Sequence, residues 1–309
     1  MDFGWHLPCY GPLATRENLI RVAHEAEACA FESVFVSDHV VLPFEATSAY
    51  EGSRSGAFPI APTAAFLEPL TALAVVAALT ERVSLGTTVL VLPHRHPVLA
   101  AKSIATLDSL SGGRVIVGAG VGWLREEIEL LGVPYERRGE WSDEALDVMK
   151  RCWADERSKH AGEFFRFRDV GCYPKPVQKP YPPLWIGGRS PAAYRRVARF
   201  GDGFHAAWSS PDLMRDQIRE VFTACGEVGR LGTDLTFSVR AGFAVRDQPS
   251  TRPTASLVGP PAFIIEQIAR YAGVGVGHIV LEAPLRSLEE HLALMHRFIE
   301  DIRPFTEGT

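Results

Sequence analysis

Short apolar runs alternating with longer stretches of helical spacing set the organisation of the chain. Phe3 to Leu7 reads as a first strand, and Leu19, Val22, Ala23 and Ala26 then recur at the spacing of one helical face. Thr15, with Asn18 nearby, suits the start of that helix. Ser33 to Ser37 is strand two. After a long insertion come a helix from Phe66 to Thr80 and a third strand within Val83 to Leu90. His96 to Leu110 predicts a helix with Pro97 in its first turn, stopped by residues 111–114 (SGGR), where glycines permit positive φ. Val115 to Gly118 is strand four. A helical region from Trp123 to Trp153 breaks near Gly132-Val133-Pro134. Residues 162–167 (GEFFRF) suggest a short hairpin, and residues 175–183 (KPVQKPYPP) a proline-stiffened connector.

The remaining strands are Leu184 to Ile186, Gly203 to Ala207, Thr236 to Val245 and His278 to Leu281. Their helices are Pro191 to Phe200, Asp212 to Gly229, Pro261 to Ala272 and Leu288 to Ile302. Eight strand–helix pairs without a series of hairpins predict a single (β/α)8 TIM barrel spanning residues 1–309, with residues 44–66 inserted after strand two. A doubly wound open sheet is the alternative, but the first β–α turn (LPCYGPL) lacks its glycine fingerprint.

Composition narrows the function classes. With 309 residues, 46% apolar and 10% aromatic, the chain can bury a large core. Its net charge of −5 is interspersed, so neither a basic stripe for nucleic acid nor a polybasic membrane patch is expected. The five cysteines (Cys9, Cys29, Cys152, Cys172, Cys225) form no Cys-x-x-Cys pair, which fits buried thiols in a reducing compartment. The N-terminus has no basic-then-apolar run. The most apolar helical run, Leu67 to Leu79, is too short for a bilayer and carries Glu68. A cytoplasmic enzyme acting on a small molecule, as a homodimer, is the expectation.

Candidate chemistry sits where predicted strands end. Residues 34–43 (VFVSDHVVLP) place Asp38 and His39 directly after strand two, at the barrel face where catalytic groups gather. A turn cap and a rim histidine are the bland alternative. Residues 118–122 (GAGVG) leave strand four, and Gly120, Val121 and Gly122 could let a ligand approach the backbone or merely form a tight turn. Residues 186–190 (IGGRS) open the helix beginning at Pro191, which makes Gly187, Gly188, Arg189 and Ser190 a candidate anion site. The insertion carries Phe44, Tyr50 and Phe58, read with Trp123 as the apolar underside of a lid over an uncharged or partly aromatic substrate. His94-Arg95-His96 lacks an acidic or cysteine partner, and no metal site is expected. Glu126 and Glu127 read as a solvated helix face with Arg125.

The segments VSDH (36–39), LGTTVLVLP (85–93), GGRVIVGAGVGWLREE (112–127), PLWIGGRSPAA (183–193) and GDGFH (201–205) occur in that order. Together they resemble the bacterial luciferase-like flavin and deazaflavin oxidoreductases, closest to the coenzyme F420-dependent enzymes of actinobacteria. The resemblance implies a luciferase-like barrel with the cofactor's side chain or phosphate beside Gly120 to Gly122 and its phosphate at the Gly187–Ser190 turn. It implies a non-proline cis peptide at Thr88-Val89 cradling the ring, with His39 near the ring as proton donor or acceptor. Asp38 would orient the ring or tune the histidine. The SDH signature (37–39) is typical of the deazaflavin branch, which implies hydride transfer between F420 and a small organic compound. An FMN-dependent monooxygenase using O2 is the alternative, and a non-catalytic flavin- or deazaflavin-binding protein is a third class. Relatives that oxidise a sugar phosphate carry a glutamate where this chain has Trp123, and a tryptophan near Leu42, Pro43 and Phe44. A sugar phosphate is therefore disfavoured, and His39 is left as the acid–base candidate.

Overall fold

The computed structural model describes residues 1–50, 52–53, 55–250, 256–284 and 286–306. The chain runs β1 (Asp2–His6), α1 (Arg16–Ala28), β2 (Ser33–Val36), α2 (Pro69–Ala77), β3 (Ser84–Thr87), β4 (Leu90–Val91), α3 (Pro97–Ser111) and β5 (Val115–Gly120). Two helices follow, α4 (Arg125–Leu130) and α5 (Arg138–Ala154), and then the antiparallel pair β6 (Ser158–Ala161) and β7 (Arg166–Val170). The last part is β8 (Leu184–Ile186), α6 (Pro191–Phe200), β9 (Gly203–Ala207), α7 (Pro211–Glu227), β10 (Thr236–Val245), β11 (Ser256–Gly259), α8 (Pro261–Gly273), β12 (His278–Glu282) and α9 (Leu288–Asp301).

Eight parallel positions close on themselves in the order β1, β2, β3, β5, β8, β9, β10, β12 and back to β1. This is the expected (β/α)8 barrel. Period-two alternation divides its apolar residues between two cores. In β2, Val34 and Val36 face outward into the large cluster shared with the helices, whereas Phe35 joins Trp185 and Val280 in a separate inner cluster. Local signals hold where predicted: Thr15 Oγ1 accepts from Asn18 N at the start of α1, and α3 ends at Gly112 with φ +71°.

Three details differ. The helix expected over 66–80 is shorter, because Pro69 occupies its first turn and Glu68 caps it by accepting from Thr71 N. Phe66 instead forms a bridge with Tyr10. The third strand is split around Thr88-Val89, so that β4 resumes pairing with β5 at Ala119 and Gly120. Finally β11, four residues long and paired to the end of β10, is too short to show a pattern in sequence. No described helix is long and apolar enough to cross a membrane.

The inner barrel is unusually polar. A continuous series of hydrogen bonds links Thr88 Oγ1 to His205 (2.8 Å), His205 to Ser238 (2.9 Å), Ser238 to His278 (2.9 Å) and His278 to Ser33 (2.8 Å). Burial holds both imidazoles down to a pKa of about 3, so each is neutral and shared between two hydroxyls.

Candidate active site at the carboxyl ends of the strands

The alternation of β2 continues past its end and decides where each polar side chain points. Ser37 follows Phe35 inward, where its hydroxyl meets His6 Nε2 (2.9 Å) and Arg240 Nη1 (3.0 Å). Asp38 is buried and both its oxygens are taken. Oδ2 accepts from Val91 N (2.8 Å) and Arg95 Nη1 (2.5 Å), and Oδ1 accepts from Arg95 Nη2 (2.8 Å). Burial alone would raise its pKa, but the neighbouring His94, its Nδ1 3.8 Å away, and the hydrogen bonds from Arg95 hold it down to about 2. Arg95 also reaches Glu68. Asp38 thus ties the end of β2 to β4 and to the start of α3. These bonds give Asp38 a positioning role.

His39 stands at the rim. Its Nδ1 lies 2.6 Å from Glu127 Oε2, while Glu127 Oε1 accepts from Val40 N (2.6 Å) and Val41 N (3.0 Å). His94 Nε2 lies 3.4 Å from the same Oε2. Glu127 is 1% exposed. Burial pushes its pKa up, but the hydrogen bond from His39 and the neighbouring histidines outweigh it, so it stays ionised. An ionised carboxylate at Nδ1 fixes the hydrogen there and leaves the Nε2 lone pair free at the mouth. The solvated helix face read from sequence is therefore overturned: Glu127 is a buried partner of His39. The absence of an acid near residues 94–96 is overturned as well, because Asp38 and Glu127 flank His94 and Arg95. Position was the available signal: α4 begins just beyond β5, where its first side chains overlook the mouth.

Thr88-Val89 is a cis peptide, as the resemblance implied. The Thr88 hydroxyl points into the barrel toward His205, and its carbonyl oxygen accepts from Arg240 Nη1 (3.2 Å). Arg240 is paired with Glu282 through Nε–Oε2 (2.6 Å) and Nη2–Oε1 (2.7 Å), and Tyr10 OH donates to the same carboxylate. Burial would raise the Glu282 pKa, but Arg240 holds it down to about 2. Sequence reasoning missed this buried pair, whose members sit 42 residues apart.

The glycine turns have a packing reason beside any ligand. A Cβ at Gly120 would lie 2.6 Å from Val89 Cγ2, so this glycine makes room for the split strand. Val121 and Gly122 follow at the rim, half-buried. Gly188 has φ +134°, and a Cβ there would lie 2.7 Å from Ala193. Gly187 lies beside Val89. Ser190 caps α6 by accepting from Ala193 N, and Arg189 is exposed, donating to the Ala207 carbonyl. Arg138, which sequence reading passed over, donates to the Gly122 carbonyl (3.2 Å). Among the described residues neither Arg138 nor Arg189 has a carboxylate partner.

The insertion brings rings to His39. Phe58 (5.0 Å), Phe66 (5.3 Å) and Trp123 (6.0 Å) surround the imidazole, and Tyr50 packs on Phe58 (4.9 Å) and Trp123 (5.0 Å). Phe44 does not join them; it is 82% exposed, which corrects its place in the expected underside. Glu126 anchors the insertion by accepting from Thr47 and Ser48, and Trp208 Nε1 donates to Tyr50 OH (3.2 Å). Among the described residues, the His, Cys and acidic side chains close enough to share a metal are Glu25 on α1, Cys29 just after it and His296 on α9, outside the barrel.

Residues 1–255 match the family described as luciferase-like monooxygenase. The chain belongs to that family. It is similar over its full length to an F420-dependent glucose-6-phosphate dehydrogenase of Intrasporangium calvum, at 25% identity, covering 100% of this chain and 99% of that protein. It is also similar to an FMNH2-dependent dimethylsulfone monooxygenase of Pseudomonas putida, at 33% identity over 144 residues, 45% of this chain and 40% of that one. Among solved structures, an F420-dependent secondary alcohol dehydrogenase in complex with an F420-acetone adduct superposes with a TM-score of 0.80 at 18% identity, covering 99% of both chains. Luciferase-like proteins with these names divide between two cofactors.

Proposed function

We propose that this protein is an oxidoreductase that uses coenzyme F420 to exchange a hydride with a small organic substrate. The observation that carries the reading is the buried Glu127 carboxylate on His39 Nδ1 at 2.6 Å, at the strand-two end of the barrel mouth. When bound, the deazaflavin supplies the hydride chemistry, which the protein itself has no group to perform.

The residues present fit that group. The peptide Thr88-Val89, with Gly120 and Gly187 close beside Val89, offers a flat backbone seat where larger side chains would collide. In the turn that opens α6, Gly187 N donates to the Ala119 carbonyl while the N–H groups of Gly188, Arg189 and Ser190 stay open among the described residues, and Arg189 and Arg138 add positive charge with no carboxylate bonded to them. His39 Nε2 then holds or takes a proton at the substrate, with Glu127 keeping the other nitrogen protonated. Asp38 sets the height of Val91 and Arg95 around the seat rather than touching a ligand.

The dimethylsulfone monooxygenase likeness favours a second reading, in which FMN binds instead and oxygen is the co-substrate. Parallel titrations of the pure protein with F420 and FMN decide between them. Tighter F420 binding, with no oxygen uptake in the presence of reduced flavin, is expected. Far tighter FMN binding with oxygen uptake would replace the reading, and binding of either without turnover of any substrate would favour a carrier.

A further inference from the structure

We infer that the ring cluster over His39 selects a neutral substrate with a flat aromatic or alicyclic body and one hydroxyl or carbonyl group. This deepens the proposed function by naming the substrate class, and it rests on the reading that His39 faces the reacting group. Three observations converge on it.

The first is the wall itself. Tyr50, Phe58, Phe66 and Trp123 are half-buried rings gathered around one imidazole, and the insertion that carries three of them is anchored at Glu126 and at Trp208. Half-covered aromatic faces held in place by polar anchors are the surfaces that a ligand's apolar body covers most favourably.

The second is charge. Three of the arginines that hydrogen-bond into this region are spent on carboxylates, Arg95 on Asp38 and Glu68, Arg240 on Glu282, and Arg125 on Glu129 and Glu136, while Arg138 has no carboxylate partner among the described residues. Glu127, by contrast, lies directly behind the histidine, and Glu126 lies beneath the insertion. Arg138 is turned onto the Gly122 carbonyl and the Tyr135 ring, on the side given above to the cofactor's phosphate, so a phosphate or carboxylate on a substrate at His39 would meet no cation among the four rings and would face two carboxylates. Burying an unpaired anion there is strongly unfavourable.

The third is the shortage of other polar partners. Glu127 is consumed by His39, Val40 and Val41, and the Tyr50 hydroxyl accepts from Trp208. Among the described residues the polar groups these rings leave open are few, His39 Nε2, the Trp123 indole N–H and the hydrogen of the Tyr50 hydroxyl, which suits a substrate presenting a single oxygen at the reacting carbon.

The test uses matched ligands and a binding readout that needs no turnover. Acetophenone, 1-phenylethanol and cyclohexanone are titrated into the intact protein beside 4-acetylbenzoate and 4-acetylphenyl phosphate, following tryptophan fluorescence and heat. The neutral compounds are expected to bind at least tenfold more tightly than their charged counterparts. Phe58→Ala and Trp123→Ala are each expected to weaken neutral binding by roughly three- to tenfold while circular dichroism stays native. Failure of every neutral compound to bind, equal or tighter binding of the charged ones, or folded Phe58→Ala and Trp123→Ala variants with unchanged affinity would each overturn the inference. Because the readout omits the cofactor, ring-dependent selection can persist if F420 fails to bind. In that case the cofactor assignment falls and the substrate class stands.

Discussion

Replacing Glu127 by glutamine changes one atom and tests the centre of the site. In the native arrangement Oε1 accepts two backbone N–H groups, from Val40 and Val41, and Oε2 accepts Nδ1–H of His39. An amide has only one acceptor end. If its oxygen stays on the two backbone donors, its NH2 faces His39 and drives the ring hydrogen to Nε2. If it turns around, two buried N–H groups face an NH2 instead. The first arrangement forfeits one charge-assisted hydrogen bond, about 1.5–3 kcal/mol, whereas the second orphans two donors at about 1–3 kcal/mol each. The first therefore wins. Glu127→Gln should stay folded, lose about 2 kcal/mol in chemical denaturation, and show His39 as the Nε2–H tautomer in nitrogen-15 imidazole spectra. A base that has lost its lone pair at the mouth should slow single-turnover hydride transfer by roughly 10²–10⁴. Native tautomer and native rate in a folded Glu127→Gln protein would refute the dyad.

Three further outcomes follow from the same geometry. His6, His205 and His278 are buried with pKa values held down to about 3, so below about pH 6.5 the unfolded chain takes up protons that the folded one refuses. Stability should be full above that value and fall with acidification toward pH 3 by up to about 1.4 kcal/mol per pH unit per histidine, and a flat denaturation series from pH 7.5 to 4.5 would contradict it. Asp38→Asn strips Arg95 of its bidentate partner inside the protein and should cost about 3–5 kcal/mol, with cofactor affinity falling in parallel; calorimetry and titration measure both. Arg189→Ala should leave stability unchanged and weaken F420 binding by about 1.5 kcal/mol, roughly tenfold, and an unaltered dissociation constant would remove Arg189 from the phosphate site.

The barrel was legible because its signals are local: strand and helix periods, Thr15 and Gly112 as caps, and prolines at helix starts. The split of the third strand was visible only through family likeness, since nothing in TTVL (87–90) requires a cis bond. The site was legible in part. Asp38 and His39 stood out as polar residues after an apolar strand, but their partners did not. Glu127, His94 and Arg95 look like surface residues in sequence, and the carboxylate and imidazole meet across 88 positions. Arg240 and Glu282 share that difficulty, because each strand alone shows only one charged residue in an apolar run. Phe44 failed for the opposite reason: adjacency to the site in sequence said nothing about which way an irregular insertion would turn it.

The pattern of compensation separates support from chemistry. Asp38 is balanced by Arg95, and Glu282 by Arg240, so these buried carboxylates fix backbone around Thr88, Val89 and Val91. Glu127 is also buried, yet among the described residues no arginine meets it; its partners are two imidazoles and two backbone amides. An ion pair would have neutralised that charge permanently. Leaving it opposite His39 makes the charge available whenever the imidazole gains a proton, which a purely structural carboxylate has no reason to do. The acid from α4, Glu127, stands behind the histidine rather than beside it, and the rim position Trp123 carries an indole that faces the ring cluster. Placing the acid behind the imidazole thus does two things together: His39 keeps a carboxylate partner, and the surface a substrate meets is apolar.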